Sequence, residues 1–586
     1  MSLTVIITGV LIALNLSCNE NVIPGDDNTG ATESEETIDD AVAGNDNDHD
    51  KSSDYTWDAS EVRYIHLEGA VITGDTAGVS YDGNQAVIGS AGVYSIDGSL
   101  SDGRIIVDAG DDDVVKVILD GAELHCSNSS PFTIRNADKV IIHLKEQTVN
   151  ILSDGSSYVY DDADEEEPSA ALFSKADLTI FGNGSLTVQG NFNDAISSKD
   201  GLIIASGEYL ITAKDDGIRG KDYLIIKDGT FTVSSGGDGM KSDNDDDLTR
   251  GYLYIQYGDF VVTSATDALS ASTDLMIAGG TFNLTSGGGS NSAVLSGVSS
   301  KGIKAAVSLI IDAGDFGISS ADDAVHSNLG MAINGGTFII STGDDGFHAD
   351  STLLVNDGLI TIDQCYEGME SAVLTFNGGD IHITSSDDGL NGAGGSTTQT
   401  GGGMMPPGGG FTTGNYYCYI NGGYIYIDAR GDGIDIGGTI NMTGGTVIVN
   451  GPTGNMDGAI DYDVAYKMTG GTMLAVGSSG MAETAGTTST QYAILVGFST
   501  TQPAGTLVHL QNSSGEEILT FSPTKQYQSL AYCSPALSKG SKYEVYLGGS
   551  DTGSEKDGLY EADAYTPGTL NSTLTISTIV TKLNIR

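Results

Sequence analysis

The feature that most constrains this chain is a corner motif, an acid followed by a small residue and an apolar one, that returns at nearly fixed spacing. Asp216 in "DDGIRG" is followed 22 residues on by Asp238 in "GDGMKS". Asp323 in "DDAVHS", Asp345 in "DDGFHA", Glu367 in "YEGMES" and Asp388 in "DDGLNG" follow one another at steps of 22, 22 and 21. Asp194, Asp267, Lys301, Asp432 and Asp457 complete a set of eleven corners, and six of the ten steps are 21 or 22 residues. Repetition at such a period marks stacked supersecondary units, each too small to bury its apolar side alone.

Between corners runs a second pattern, as in "LIIKDGTFTV" (224–233), "LMIAGGTFNL" (275–284) and "MAINGGTFII" (331–340). Each half alternates with period two, the signature of a strand with one buried face. The Asp-Gly, Gly-Gly or Asn-Gly between the halves is turn chemistry. Each coil therefore holds three short strands and three corners, and helical periodicity is absent throughout the array. The expected class is all-β, a parallel β-helix, that is, a solenoid with coils of about 22 residues.

The chain divides accordingly. Residues 1–18 are an apolar run too short to span a bilayer and are expected to be a signal peptide ending at a lipobox-like Cys18. Residues 19–54 are acidic and poor in apolar side chains, and are expected to be a disordered tether. Residues 55–112 are assigned to an N-terminal β region or cap, 113–480 to the parallel β-helix, and 481–586 to a β-rich C-terminal region that caps it. The Gly-rich stretch 391–414, with Met404, Met405, Pro406 and Pro407, is expected to be a surface loop. An exported bacterial lipoprotein at the outer membrane or cell surface follows, a monomer touching lipid only through its N-terminal anchor.

A net charge of −54, from 79 acidic and 25 basic residues, excludes nucleic acid as a partner, because phosphate binding needs clustered Lys and Arg. Cys126, Cys365 and Cys418 are expected to fill core positions as small apolar residues. Tyr252, Tyr254, Tyr257, Tyr416, Tyr417, Tyr424 and Tyr426 offer a modest platform for sugar rings, though strand tyrosines with a wet hydroxyl end read the same way.

Stacking brings corner acids about 4.8 Å apart. Two such charges repel by roughly 1 kcal/mol in water and about 3–4 kcal/mol at an effective dielectric near 20. A row of them calls for cations, and Ca²⁺ takes six to eight oxygens from carboxylates and carbonyls. The expected calcium ligands are Asp215, Asp216, Asp238, Asp243, Asp322, Asp323, Asp344, Asp345, Glu367, Asp387 and Asp388. Against this, an Asp beside a Gly corner also serves simply to bond its own backbone. Three residues past each acid lies an outward position, which reads Ser197, Arg219, Lys241, Ser270, Lys304, His326, His348, Glu370, Asn391 and Asp435. Arg219, Lys241, Lys304, His326, His348 and Glu370 are the expected carbohydrate contacts. His326, His348 and Glu370 are also a minor transition-metal candidate.

The corner series, followed by "GGTVIVNGPTGNMDGAIDYD", "SSGMAETAGTTSTQ" and "FSPTKQYQSLAYCSP", resembles the bacterial carbohydrate-binding domain-containing proteins typified by a clostridial cellulose- and pectin-binding protein. The resemblance implies a right-handed parallel β-helix with bound Ca²⁺ and affinity for polygalacturonate and cellulose. It is similar in fold to family 9 pectate lyases, whose Asp-rich corners hold calcium beside a lysine base. The expected function is therefore polysaccharide binding without cleavage and with no catalytic residue. The alternatives are a calcium-dependent lyase with Lys241 as base, and a structural adhesion solenoid.

Overall fold

The computed structural model describes residues 37–46, 49–160, 166–294, 296–393, 416–561 and 564–585. Cys18, the signal segment and the Met404–Pro407 loop tip lie outside the described residues. The protein is all-β, with one large, mostly parallel sheet and one α-helix, Ile38–Gly44, among the described residues. No helix there is long and apolar enough to cross a membrane.

The parallel sheet is built from three ladders, because most strands pair with the third strand on, or with the second where one long strand serves two ladders. The first ladder is made of short strands such as Ile218–Gly220, Met240–Ser242 and Leu269–Ala271. The second runs through Tyr223–Ile226, Tyr252–Ile255 and Leu275–Ile277. The third runs through Thr230–Ser235, Asp259–Ser264 and Thr281–Ser286. In this third ladder the inward aromatic position stacks from repeat to repeat. Tyr209, Phe231, Phe260, Phe282, Phe316 and Phe338 lie 4.5–4.9 Å apart centroid to centroid with ring planes within 5°. All six are buried at 3% exposure or less, so the stack is core rather than a sugar platform.

Two glycines show why the motif is spelled as it is. Gly229, between the second and third strands of its repeat, has φ of 143°, a conformation open to glycine. Gly239, beside the corner acid Asp238, has ordinary φ, but a Cβ there would sit 2.5 Å from the carbonyl oxygen of Ala268 in the next repeat. Close approach between repeats, not the turn itself, selects the small residue at that corner.

At the outer turn leading to the third ladder, side-chain amides form a chain of their own. Asn334 donates to Asp312, Asn356 to Asn334, Asn377 to Asn356 and Asn421 to Asn377, at 2.8–2.9 Å, and Thr443 donates to Asn421 at 2.9 Å.

The parallel pairing begins upstream of residue 113: Val62–Gly69 pairs with Gly92–Leu100, and that strand with Val114–Cys126. The assigned N-terminal cap is thus continuous with the ladders. At the other end Thr472–Gly477 pairs antiparallel with Tyr527–Cys533, which ends the parallel stack. A second, six-stranded antiparallel sheet follows, and its Val508, Phe521, Tyr543 and Val545 share a core with Ile448, Leu474, Ile494 and Tyr532 of the large sheet.

The expected tether 19–54 requires correction over its described part. Thr37 caps the helix Ile38–Gly44 by accepting from the Asp40 N–H. Ile38 is buried against Ile203, Tyr223, Ile225, Tyr252, Met276 and Ile310 on the outer face of the second ladder. Further along, Lys227 pairs with Asp50 at 2.5 Å and Lys139 with Asp54 at 3.3 Å. A few apolar residues suffice because the ladder supplies a matching apolar strip; averaged over an acidic stretch, they leave no signal. Cys126, Cys365 and Cys418, with Cys533, are buried and free.

Candidate functional site: a graded row of corner acids

The first ladder aligns the corners, and each corner aspartate gives its two oxygens different tasks. Oδ1 of one acid accepts the backbone N–H of the next corner. Asp194 takes Asp216 (3.3 Å), Asp216 takes Asp238 (2.8 Å), Asp238 takes Asp267 (3.0 Å) and Asp267 takes Lys301 (2.8 Å). Asp323 takes Asp345 (3.1 Å), Asp345 takes Glu367 (3.3 Å) and Asp388 takes Asp432 (2.6 Å). Lys301 has no such oxygen, and Asp322 accepts from the Asp323 N–H in its place. The acids are therefore structural links between repeats, a role that backbone bonding at a Gly corner hinted at without naming the partner. Asp215 and Asp387, outer members of their acid pairs, use their carbonyls to accept from Gly237 and Gly431.

From Asp194 to Asp345, Oδ2 meets the outward positions, three residues on for Asp238, Asp323 and Asp345 and in the following repeat for Asp194, Asp216 and Asp267. The register of those positions is as the spacing predicts. Arg219, Lys241, Ser270, Lys304, His326, His348, Glu370, Asn391 and Asp435 pair in sequence along the ladder. In the structure Arg219, Lys241 and Lys304 turn onto the acid row, with 22, 26 and 28% of their side chains exposed. Lys241 Nζ lies 3.0 Å from Asp238 and 3.3 Å from Asp216. Arg219 grips Asp243 with Nε at 3.1 Å and Nη2 at 2.5 Å, and lies 3.8 Å from Asp194. Lys304 pairs with Asp267 at 3.2 Å. His326, almost fully buried, bonds Asp323 through Nδ1 and Asn328 through Nε2, both at 2.8 Å. A stem anchored at one corner bends toward the acid row because burying that row unpaired costs more than ordering the side chain.

The electrostatics follow. Burial opposes charge on Lys241, but Asp238 and Asp216 outweigh it and hold the ammonium above its ordinary value. The same holds for Lys301 beneath Asp323 and Asp322. Burial would raise Asp323, yet Lys301 and His326 bring it below the usual carboxylate range. His348, hydrogen-bonded to Asp345 and near Glu370, rises to about 9 despite burial. Farther on, compensation fails. Glu367 is pushed up to about 9 by burial, Asp345 and Glu370. Burial, then Asp387, takes Asp388 to about 7, and burial with Asp435 and Asp461 takes Asp432 to about 7. Asp435 rises to about 6 through burial and the Asp461 and Asp463 charges.

Oxygens of Asp432, Asp435 and Asp461 lie within 4.8 Å of one another, and no basic side chain pairs with these three among the described residues. Asp432 and Asp435 stood outside the expected ligands; the basic-to-acidic drift of the outward positions was the signal that points to them. Asp322, Asp323 and Asp344 also converge, but Lys301 Nζ sits on the first two at 2.8 and 2.6 Å. Of the tyrosines named as a platform, Tyr252 is buried beside His49, and Tyr424 donates to Asp557 of the C-terminal region; Tyr257 stays exposed.

Residues 82–346 match the family model of carbohydrate-binding domain-containing proteins. That segment contains the corners from Asp194 to Asp345, and the resemblance carried by the motifs is borne out there. A carbohydrate-binding domain-containing protein of Acetivibrio thermocellus is 35% identical over 136 residues, 23% of this chain. The match covers 48% of that relative, so the chain spans about half the relative's length. A solved structure, the polysaccharide lyase-like protein from C. thermocellum as a gadolinium derivative, aligns at 25% identity over 50% of this chain and 96% of that one, with a TM-score of 0.36.

Proposed function

We propose that this chain is an exported lipoprotein whose body is a right-handed parallel β-helix that grips an acidic or neutral plant-type polysaccharide, pectin- or cellulose-like, through bound Ca²⁺ and without cleaving it. The i-to-third-strand pairing supports the solenoid reading, and the family match over residues 82–346 supports a carbohydrate ligand.

One observation carries the proposal: along a single row, corners paired with Arg219, Lys241, Lys301 and Lys304 give way to corners with oxygen donors alone. Where cationic side chains occupy the carboxylates, a calcium ion would have to displace them. Where Asp388, Asp432, Asp435 and Asp461 stand, an oxygen-only set of the kind Ca²⁺ favours is left to neutralise. These residues would hold the ion, which when bound supplies charge compensation and coordination sites for ligand carboxylates or hydroxyls.

The same observation disfavours the lyase alternative. A general base must be able to give up its proton near neutrality, and Lys241 is clamped between two carboxylates that keep it charged.

The test is retention on immobilised polygalacturonate and cellulose. Retention lost with chelator, restored by Ca²⁺ and reduced in Asp435→Asn, with no unsaturated uronide released, supports the reading. Released unsaturated product that disappears in Lys241→Ala overturns it in favour of a lyase. Calcium-dependent thermal stability with no glycan retained leaves only the structural role.

A further inference from the structure

We propose that Asp345, His348 and Glu370 form a binding site for a borderline divalent transition metal of the Zn²⁺ class, separate from the oxygen-only corners. The site does not rest on the polysaccharide reading.

The first support is geometric. Asp345 and His348 come from one repeat and Glu370 from the next, brought together by the His348–Glu370 pairing in the first ladder. His348 Nδ1 lies 3.0 Å from Asp345 Oδ2 and 3.6 Å from Glu370 Oε2, and the three ligand atoms lie within 4.8 Å of one another. Ligands about 2.0–2.2 Å from one tetrahedral Zn²⁺ stand about 3.4 Å apart, so small side-chain adjustments place all three on one ion. Asp345 is 5% exposed, while His348 and Glu370 side chains keep 14 and 15%. A fourth position therefore faces solvent.

The second support lies behind the imidazole. His348 Nε2 faces Asp350 Oδ1 at 3.3 Å, and neither buried atom has a well-formed hydrogen bond in the protein. A carboxylate behind the far nitrogen of a ligating histidine is the usual arrangement, since it fixes the ring and its tautomer. Once Nδ1 binds a metal, Nε2–H is the remaining donor, aimed at Asp350.

The third support is a contrast with the neighbouring repeat. Asp323, His326 and His348 also converge. There the Lys301 ammonium already sits on Asp323, and both nitrogens of His326 have partners. One repeat later there is no lysine, and Asp345, Asp350 and Glu370 surround a single imidazole. Mixed nitrogen and carboxylate donors suit Zn²⁺ and its neighbours better than Ca²⁺.

The experiment is a Co²⁺ titration of the full-length chain after dialysis against chelator. Visible ligand-field absorption is expected, displaced by Zn²⁺ and untouched by a large excess of Ca²⁺. His348→Gln is expected to abolish the absorption. Glu370→Gln and the positioning variant Asp350→Asn are expected to weaken Co²⁺ binding about 10–100-fold. No absorption, absorption retained in folded His348→Gln, or displacement by Ca²⁺ overturns the site. If circular dichroism shows His348→Gln unfolded, the other two variants decide, and unchanged Co²⁺ affinity in both overturns it.

Discussion

Lys301 Nζ lies 2.6 Å from Asp323 Oδ2 and 2.8 Å from Asp322 Oδ1, so the corner that lacks an acid supplies the cation for the next one. Asp323 is 3% exposed, and the Lys301 side chain 13%. Removing one partner of such a buried pair leaves an uncompensated charge and costs about 3–5 kcal/mol. Lys301→Met is expected to lower the urea unfolding midpoint accordingly, and adding Asp323→Asn to recover part of the loss. A single variant as stable as the native chain would show that the lysine is not what neutralises this acid.

Phe282 stacks between Phe260 and Phe316 at 4.7 Å on either side. Phe282→Ala is expected to cost about 3–5 kcal/mol through the cavity it opens. Because each repeat touches only its neighbours, the effect should be local. Hydrogen exchange should accelerate in strands Asp259–Ser264, Thr281–Ser286 and Asp315–Ser320, with far smaller change near the six-stranded sheet.

Asn356 both donates to Asn334 and accepts from Asn377, at 2.8 Å each. Asn356→Ala loses two partly exposed bonds and is expected to cost about 1–2 kcal/mol. A thermal melt is the check, and Asn356→Asp should be no better because it lacks the donor.

Asp194 has a buried Oδ2 that accepts no hydrogen bond, with the Arg219 guanidinium 3.8 Å away, and is raised to about 7 by burial, then by Asp216. A carboxyl raised in the folded state binds protons more tightly there than in the unfolded chain. Its contribution is therefore fully present below about pH 4 and is lost as pH rises through about 7. Asp194→Asn keeps the oxygen that accepts the Asp216 N–H. It is expected to match the native chain near pH 4 and exceed it above pH 7. Parallel stability curves for the two chains across that window would disprove the assignment.

Much of this was legible because it depends on spacing. Corners 22 residues apart, Phe231 two residues after Gly229, and the outward series from Arg219 to Asp435 each predict their own register, since a stack of like repeats converts sequence period into spatial neighbourhood. Cation demand was legible too, because acids in a row repel whatever surrounds them. Which cation answers was not. Lys301, Arg219 and Lys241 reach their acids through long side chains whose direction depends on the depth of each corner and on the space its neighbours leave. The docking of Ile38 and Asp50 was hidden for a similar reason: it depends on an apolar strip that exists only once the second ladder is assembled. The sequence by itself determined the repeat, its strands and the row of acids. Only the tertiary structure decided that the row is neutralised from within at one end and left to oxygen donors at the other, because charge compensation is settled by distance and burial rather than by residue order.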